Sequence, residues 1–322
     1  MKFPTSCAAL LLSLGLAASA QADTWPSRPI TMVVPTAPGG STDFSARLIG
    51  DALAKSLGQA VVVDNKPGAS GNVGTEAVAR AKPDGYTLLM QYSGYHVGNP
   101  ALFAQIRWNP VKDFVPVALV MRAPHVLAVG PSAHASSLKE LIEVGKKNGK
   151  GLFYASSGNG SIQHIAGELF GQLTKVPMTH VPYKGSGPAV NDLMGGQVDL
   201  FVTTPPGVIQ QVAAGRLKAL AYTGKQRHPS MPNVPTSAEA GLPGYEVESW
   251  FAIFAPAGTP MPLVNRLSAA IKTIVEGEDF RRKMDEQGAF ATYMDSPTLG
   301  RFVDKELAAW AQVIKAANIK AD

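Results

Sequence analysis

The first part of the chain alternates short β-branched runs with segments of helical periodicity. Gly58 follows one of these helical segments and occupies the position of a C-terminal glycine. The pattern predicts strands at 30–34, 61–63 and 86–90 and helices at 42–57 and 73–81. Such alternation is typical of a doubly wound α/β sheet with parallel strands.

A second series of the same kind begins near residue 126. It predicts strands at 126–129, 152–155, 199–203 and 219–222 and helices at 138–147, 162–173 and 207–214. After a Pro-rich stretch at 229–243, a strand at 249–255 leads to two helices, at 263–276 and 298–317. Because no strand series remains to pair with these last helices, we expect them to cover the first sheet.

These patterns predict an α/β protein of two lobes, each a doubly wound sheet flanked by helices. The predicted first lobe is discontinuous and comprises 23–120 and 248–322, whereas the second lobe comprises 121–247. The chain is expected to cross between the lobes near 117–125 and 244–252. A length of 322 residues agrees with two lobes, because a single core rarely grows beyond about 250–300 residues.

The N-terminus carries the pattern of a secretory signal peptide, predicted at 1–22. Lys2 precedes an apolar run at 8–18, and Ala20 and Ala22 form an A-x-A signal with cleavage after Ala22. A membrane anchor would need about 20 apolar residues, more than this run offers. Cys7, the single cysteine, leaves with the leader, and the mature chain is predicted to enter an oxidising compartment without disulfides.

Composition and net charge limit the kinds of molecule that the protein is expected to bind. With 45% hydrophobic and 16% charged residues the chain is not disordered, and neither a glycine period nor a heptad repeat is present. Loss of Lys2 lowers the formal net charge from +5 to +4, and the basic residues are scattered without a nucleic-acid motif. This excess agrees with a small anionic ligand or with an ordinary basic surface.

Two glycine-rich loops share one design, since each follows a predicted strand and opens a predicted helix. Glycine lets the backbone approach a ligand, and the first helical N–H groups form an anion site. Each loop alone also fits a capped helix start, with Ser41 or Ser161 as the cap, but the occurrence of one in each lobe favours a ligand site. The candidate ligand-binding residues are Thr36, Ala37, Pro38, Gly39, Gly40 and Asp43 in one loop and Ser156, Ser157, Gly158, Asn159, Gly160, Ser161 and His164 in the other.

Other candidates lie at the same predicted edges. Asp43 has two open interpretations, as an acceptor for a ligand amine or for helix N–H groups, and His164 is either a ligand donor or a structural side chain. A loop after the 86–90 strand and two positions in the second lobe complete the predicted site, with rings that either wall a flat ligand or pack against the lobe. These residues are Tyr92, Ser93, Tyr95, His96, Tyr183 and Thr203.

Signatures of catalysis and of metal or nucleotide binding are absent from the sequence. It contains no G-x-S-x-G, H-E-x-x-H, phosphate-loop or G-x-G-x-x-G motif, and its six histidines show no i,i+3 or i,i+4 pairing. Ser161 and His164 form no triad that sequence alone can establish. We therefore predict a binding protein without catalytic residues, metal or cofactor.

The sequence resembles the Bug-type receptors, the extracytoplasmic solute-binding proteins of tripartite tricarboxylate transporters. The resemblance covers nearly the whole mature chain and lies in WPSRPI at 25–30, PGGSTD at 38–43, VDNKPGA at 63–69, KPDGYTLL at 82–89, NPAL at 99–102, VPYKG at 181–185, FAPAGTP at 254–260 and Trp310. It implies a two-lobed periplasmic binding protein, a type II-like clamshell that holds a carboxylate between the loops at 36–43 and 156–164, partly through water. It also implies a separate two-component membrane permease as partner.

The resemblance leaves the ligand open among citrate, other di- and tricarboxylates, amino acids, nicotinate-like compounds and aromatic dicarboxylates. Such receptors often have small residues where Tyr92 and Tyr95 stand, so we expect an aromatic mono- or dicarboxylate such as terephthalate rather than citrate. The receptor is predicted to be a monomer without nucleic-acid partners. The alternatives are a ligand-presenting protein of a sensor system and an exported hydrolase.

Overall fold

The computed structural model describes residues 25–147 and 149–316. The predicted leader and its cleavage position after Ala22 lie outside these residues. The described chain forms eleven strands: β1 (Ile30–Val34), β2 (Val61–Asn65), β3 (Thr87–Tyr92), β4 (Phe114–Pro124), β5 (Val126–Val129), β6 (Leu152–Ser156), β7 (Met178–Pro182), β8 (Leu200–Thr203), β9 (Lys218–Tyr222), β10 (Glu248–Pro256) and β11 (Phe290–Met294).

The same residues form ten α-helices: α1 (Ser41–Leu57), α2 (Asn72–Ala79), α3 (Asn99–Leu102), α4 (Leu138–Lys147), α5 (Ile162–Thr174), α6 (Ser186–Met194), α7 (Ile209–Ala213), α8 (Met261–Val275), α9 (Glu278–Glu286) and α10 (Ser296–Ala316). A π-helical turn at Gly94–Gly98 precedes α3, and short 3-10 turns cover Pro131–Ala133 and Pro205–Gly207. Gly58 ends α1 in the left-handed conformation with a φ of 71°, as its sequence position predicts.

The strands form two sheets, which define the first and the second lobe. The six-stranded sheet has the order β11-β4-β10-β3-β1-β2, and the five-stranded sheet has the order β7-β6-β8-β5-β9. Helices flank both sheets, so the two-lobed α/β prediction is confirmed. The expectation of parallel strands holds only in part, because β10 and β5 each run antiparallel to both of their neighbours. The carboxyl ends of β1, β3, β6 and β8 nevertheless face the boundary between the lobes.

The last two long helices cover the first sheet on opposite faces. Val264 and Leu267 of α8 are buried together with the inner face of α1, whereas Leu299 and Val303 of α10 are buried against the other face of the sheet. This arrangement agrees with the prediction. The sequence missed β11, however, which lies at the sheet edge beside β4 and supplies the strand that was thought to be lacking there.

The chain crosses between the sheets at two adjacent points. It leaves the first sheet at His125, between β4 and β5, and returns at Val247, just before β10. The His125 amide donates to the Val247 carbonyl at 3.1 Å, so the two crossings are joined to each other. The first crossing was predicted at 117–125, but strand β4 extends to Pro124, so only the last residue of that range lies outside the strand. The exact lobe boundaries remain a prediction.

Candidate functional site

A narrow cavity lies where the two lobes meet, and we call it the inter-lobe cavity. In this closed form its volume is about 10 Å³, room for about one water molecule, so a larger ligand would have to part the lobes to enter it. Four of its lining residues end or follow strands that run toward this boundary, namely β1, β3, β6 and β8. In open α/β sheets, ligands bind outside such carboxyl ends. The lining residues are Thr36, Gly40, Ser41, Thr42, Tyr92 and Phe251 from the first lobe and Ser157, Gln163, Ser186 and Thr204 from the second, and none of these carries a charge.

The N-terminus of α1 opens directly into this cavity. Gly40 is its N-cap residue, and no side chain caps the helix there. The first N–H groups of a helix have no partner within it, and the helix dipole places partial positive charge at the same end. Ser41 and Thr42, which line the cavity, therefore present donors and positive potential to anything bound in it.

Asp43 holds the loop before α1 in place. Its carboxylate accepts from Arg47 through two nitrogens, at 2.9 and 3.1 Å, and from the Gly39 amide at 3.1 Å and the Asn65 amide group at 3.0 Å. Burial opposes ionisation, but these hydrogen bonds and the Arg47 charge outweigh it and hold the pKa of Asp43 below its ordinary value. Asp43 therefore has a structural role, but its partners are a loop amide and two side chains rather than the helix N–H groups named in the sequence analysis.

A second uncapped helix N-terminus faces α1 from the opposite lobe. It belongs to α6, whose N-cap residue Gly185 has a φ of 126° and supplies no capping side chain. Ser186, the first residue of α6, lines the cavity, and its hydroxyl lies 3.0 Å from that of Ser157. A Cβ placed on Gly40 would lie 3.1 Å from Cβ of Ser186, so the two helix ends almost touch. The positive ends of the α1 and α6 dipoles therefore both lie at the inter-lobe cavity.

Sequence analysis missed this helix, although a signal for it exists. Gly185 precedes a stretch in which Ala189, Val190 and Leu193 recur at helical spacing, and all three are buried. The stretch is only nine residues long and contains Pro188, and for this reason it resembles a loop. Only Tyr183, just before it, was included among the candidates.

The N-terminus of α5, in contrast, is occupied by side chains of the protein. The Ser161 hydroxyl caps the helix by accepting from the His164 amide at 3.3 Å. Tyr92, from the other lobe, accepts at its hydroxyl from the Ile162 amide at 2.8 Å and donates to Oε1 of Gln163 at 2.6 Å. Ser157 and Gln163 of this region reach the cavity, but the donors of α5 itself are already in use.

The other residues of the 156–164 loop support each other. The Ser156 hydroxyl accepts from the Gly158 amide at 3.0 Å and lies 2.6 Å from Nε2 of His180. Nδ1 of His164 accepts from the Gly160 amide at 3.1 Å, and the ring stacks on His180 with centroids 3.9 Å apart. Burial, followed by the charge of His164, lowers the pKa of His180 to about 3. Asn159 is half-buried in the same turn.

Of the four candidates at the end of β3 and just after it, Tyr92, Ser93, Tyr95 and His96, only Tyr92 lines the cavity. The hydroxyl of Tyr95 donates to the Ser157 carbonyl at 2.5 Å, and that of Ser93 accepts from the Trp250 amide at 3.1 Å. The ring of His96 stacks on Phe254 at 4.2 Å within an aromatic cluster, where burial lowers its pKa to about 3. Of the rings predicted to wall a flat ligand after the 86–90 strand, the cavity is therefore lined by Tyr92 and not by Tyr95 or His96. Phe251, which sequence analysis missed, lies beside Tyr92 with ring centroids 5.7 Å apart.

Direct contacts join the lobes around the cavity. The Ala37 amide donates to the Lys184 carbonyl at 2.9 Å, and the Thr204 hydroxyl donates to that of Ser41 at 2.7 Å. Pro38 and Gly39 pack against Gly187 of α6. Tyr183 is bound to Asp192 at 2.7 Å and does not line the cavity. The lobes are closed on each other in this structure.

Two predicted threonines carry hydroxyls that have no hydrogen-bond partner within residues 25–147 and 149–316. Oγ1 of Thr36 and Oγ1 of Thr203 are both buried, and their side chains are 4% and 0% exposed. Thr36 lines the cavity, whereas Thr203 lies one residue before the lining residue Thr204. Because buried polar groups are nearly always paired, an unpaired hydroxyl in a cavity wall points to a bound partner.

Comparison with known proteins identifies the family. The family described as "Tripartite tricarboxylate transporter family receptor" (TctC) matches residues 45–319. The structure is similar to that of R. palustris Rpa4515 with adipate, at a TM-score of 0.89 and 38% identity over 92% of this chain and 99% of that one.

Two further solved structures agree. The periplasmic binding protein BugD matches at a TM-score of 0.87 and 36% identity, over 92% of this chain and 99% of its own. MatC from Rhodopseudomonas palustris with bound malate matches at a TM-score of 0.84 and 36% identity, over 90% of this chain and 100% of its own. The matching family is one of receptors that bind solutes, not of enzymes. With a match over most of its length, the chain belongs to the TctC family of tripartite tricarboxylate transporter receptors, the Bug-type periplasmic solute-binding proteins.

Proposed function

We propose that this protein is an exported receptor that captures a small carboxylate in the inter-lobe cavity. The observation that carries the proposal is the convergence of two uncapped helix N-termini, α1 and α6, beside the unpaired hydroxyl of Thr36. Helix N-termini stabilise anions through their free N–H groups and dipoles. The relatives solved with adipate and malate hold ligands of this chemical class.

A carboxylate fits this end of the cavity better than a phosphate or a cation does. The lining residues contain no arginine or lysine to balance a doubly charged group, and no carboxylate to attract a cation. Backbone N–H groups and the hydroxyls of Thr36, Ser41 and Ser186 can together bind a single negative charge. Bound water can complete the set, since water bridges are nearly as favourable as direct hydrogen bonds.

The body of the ligand is proposed to lie against the rings of Tyr92 and Phe251. These rings form an apolar wall beside the anchoring end, which favours an aromatic mono- or dicarboxylate, terephthalate being one example. Citrate and other aliphatic acids are the competing ligands. A calorimetric screen of benzoate, terephthalate, succinate and citrate distinguishes the two classes, and a clear preference for citrate would contradict the aromatic proposal.

Delivery is proposed to a separate two-component membrane permease. The family's membership of tripartite transporters supports this proposal. Within residues 25–147 and 149–316 no helix is long and apolar enough to cross a membrane. Deletion of the gene should abolish uptake of the acid, and the wild-type chain should restore uptake. Retained uptake with lost gene induction would favour the sensor alternative.

Thr36→Val tests the proposed anchor. Valine keeps the branched shape and removes the hydroxyl, so affinity for the tightest acid should fall about tenfold to 100-fold, in line with the 1.5–3 kcal/mol of a hydrogen bond to a charged group. Stability should not fall, because the hydroxyl has no hydrogen-bond partner among the residues that the structure describes. Calorimetry gives the affinity and thermal unfolding the stability.

Thr31→Val is the matched control, because Thr31 lies in β1 outside the cavity lining. It should leave affinity unchanged. Equal affinity of wild type and Thr36→Val for every acid in the screen would contradict the proposed anchor.

A further inference from the structure

The far end of the inter-lobe cavity is formed by a hydrogen-bonded group that crosses the lobes. Tyr92 stands at the end of β3 in the first lobe, and its hydroxyl lies between the Ile162 amide and the Gln163 side chain of the second. All three residues are at most 3% exposed. Burial raises the pKa of Tyr92 above its ordinary value, so the phenol is neutral and keeps its proton.

Tyr92 and Gln163 occupy the N-terminus of α5, where sequence analysis placed the ligand. The Ile162 amide is the first helical N–H of α5 and would suit a second carboxylate, but it already donates to Tyr92. Among the described lining residues, the one other ring is that of Phe251, which is apolar. These lining residues include no charged side chain, and a carboxylate buried beside Tyr92 would lack a compensating positive charge.

We infer that Tyr92 determines the charge of the ligand and makes this receptor selective for monocarboxylates over the matching dicarboxylates. This inference rests on the proposed function and sharpens it. The single carboxylate binds between α1 and α6, and the other end of the ligand, apolar or neutral, meets Tyr92, Gln163 and Phe251. The receptor thereby differs from the relatives solved with the dicarboxylates adipate and malate.

The test compares acids in matched pairs that differ only in the second carboxylate. Benzoate is paired with terephthalate, butyrate with succinate, and hexanoate with adipate, each titrated by calorimetry into the wild-type protein. The tightest monoacid should bind at least tenfold more tightly than its diacid. This comparison needs no variant and so does not depend on how a substitution affects folding.

Tyr92→Phe then tests the residue itself. It keeps the ring and frees the Ile162 amide, so a second carboxylate gains a donor, and the preference for the monoacid should shrink at least tenfold. Any general cost to lobe closure affects both members of a pair and cancels in their ratio. Tyr95→Phe is the matched control, because Tyr95 also bridges the lobes but does not line the cavity. It should weaken both members equally.

The outcomes separate this inference from the proposed function. Failure of every acid to bind would overturn both. Binding of diacids as tightly as monoacids by the wild type, or an unchanged ratio in Tyr92→Phe, would overturn the selectivity assigned to Tyr92 and leave the carboxylate receptor intact.

Discussion

Replacement of Gly187 by alanine is expected to prevent full closure of the lobes and to weaken binding of every acid about tenfold to 100-fold. Gly187 lies in the first turn of α6, and a Cβ there would run into the carbonyl oxygen of Pro38 in the opposite lobe. Such overpacking costs about 1–3 kcal/mol, and each 1.4 kcal/mol corresponds to a tenfold change in affinity. The clash exists only between the lobes, so each lobe should fold normally.

Two measurements check this expectation. Calorimetry with the tightest acid should give the affinity loss, and small-angle scattering should show that wild type compacts on saturation whereas Gly187→Ala stays more open. Gly300→Ala is the control, because Gly300 also lies in a helix and its added methyl would meet only Pro116, at an ordinary 3.8 Å. Full compaction of Gly187→Ala together with wild-type affinity would contradict the closed geometry.

Replacement of Asp43 by alanine is expected to lower the free energy of unfolding by about 2–3 kcal/mol at neutral pH. The substitution leaves Arg47, the Gly39 amide and Asn65 without their shared acceptor. Because the same carboxylate fixes the loop that leads into α1, ligand affinity should fall as well. Denaturant titration measures the first effect and calorimetry the second.

The pH dependence of this difference follows from the lowered pKa of Asp43. A carboxylate with a folded-state pKa below its unfolded value stabilises the fold fully above the unfolded value, here about 3.8, and loses that effect as pH falls through the folded value. The gap between wild type and Asp43→Ala should therefore be constant near neutral pH and shrink below about pH 3.8.

Asp64→Ala provides the control for this prediction. Asp64 forms an exposed ion pair with Lys66, and such pairs contribute at most about 1 kcal/mol. An Asp43→Ala variant that loses no more stability than Asp64→Ala, or a gap that stays constant down to pH 2, would show that the network does not hold the loop.

Hydrophobic periodicity predicted most strands and helices because their buried faces repeat locally. Helix α1, with its capping Gly58, is one example, and α5 is another. Strand β4 was missed for a physical reason. It lies between β10 and β11 with most of its length buried, and periodicity alone does not distinguish the continuous apolar run at 117–121 from a buried connection between the lobes.

A residue of the site could be predicted where its partners are close to it in the sequence, and it could not be predicted where folding alone brings the partners together. The loop at 36–43 could be found from sequence, because its glycines and helix start are adjacent in the chain. Placement of His96 required the tertiary structure, since its ring is enclosed by Phe254, Trp108 and other distant aromatic residues. Phe251 was missed because it lies within a strand that carries no sign of a ligand site.

The sequence by itself determined the order of most strands and helices, the division into two α/β units and the membership of a receptor family, because these depend on local patterns and motifs. Only the tertiary structure decided which helix N-termini are free to bind a ligand. The Tyr92 hydroxyl accepts from the Ile162 amide, 70 residues away, and so occupies the N-terminus of α5. The N-terminus of α6, in contrast, has no capping side chain and faces that of α1. That choice depends on how the two lobes meet, and local sequence carries no information about a contact made across them.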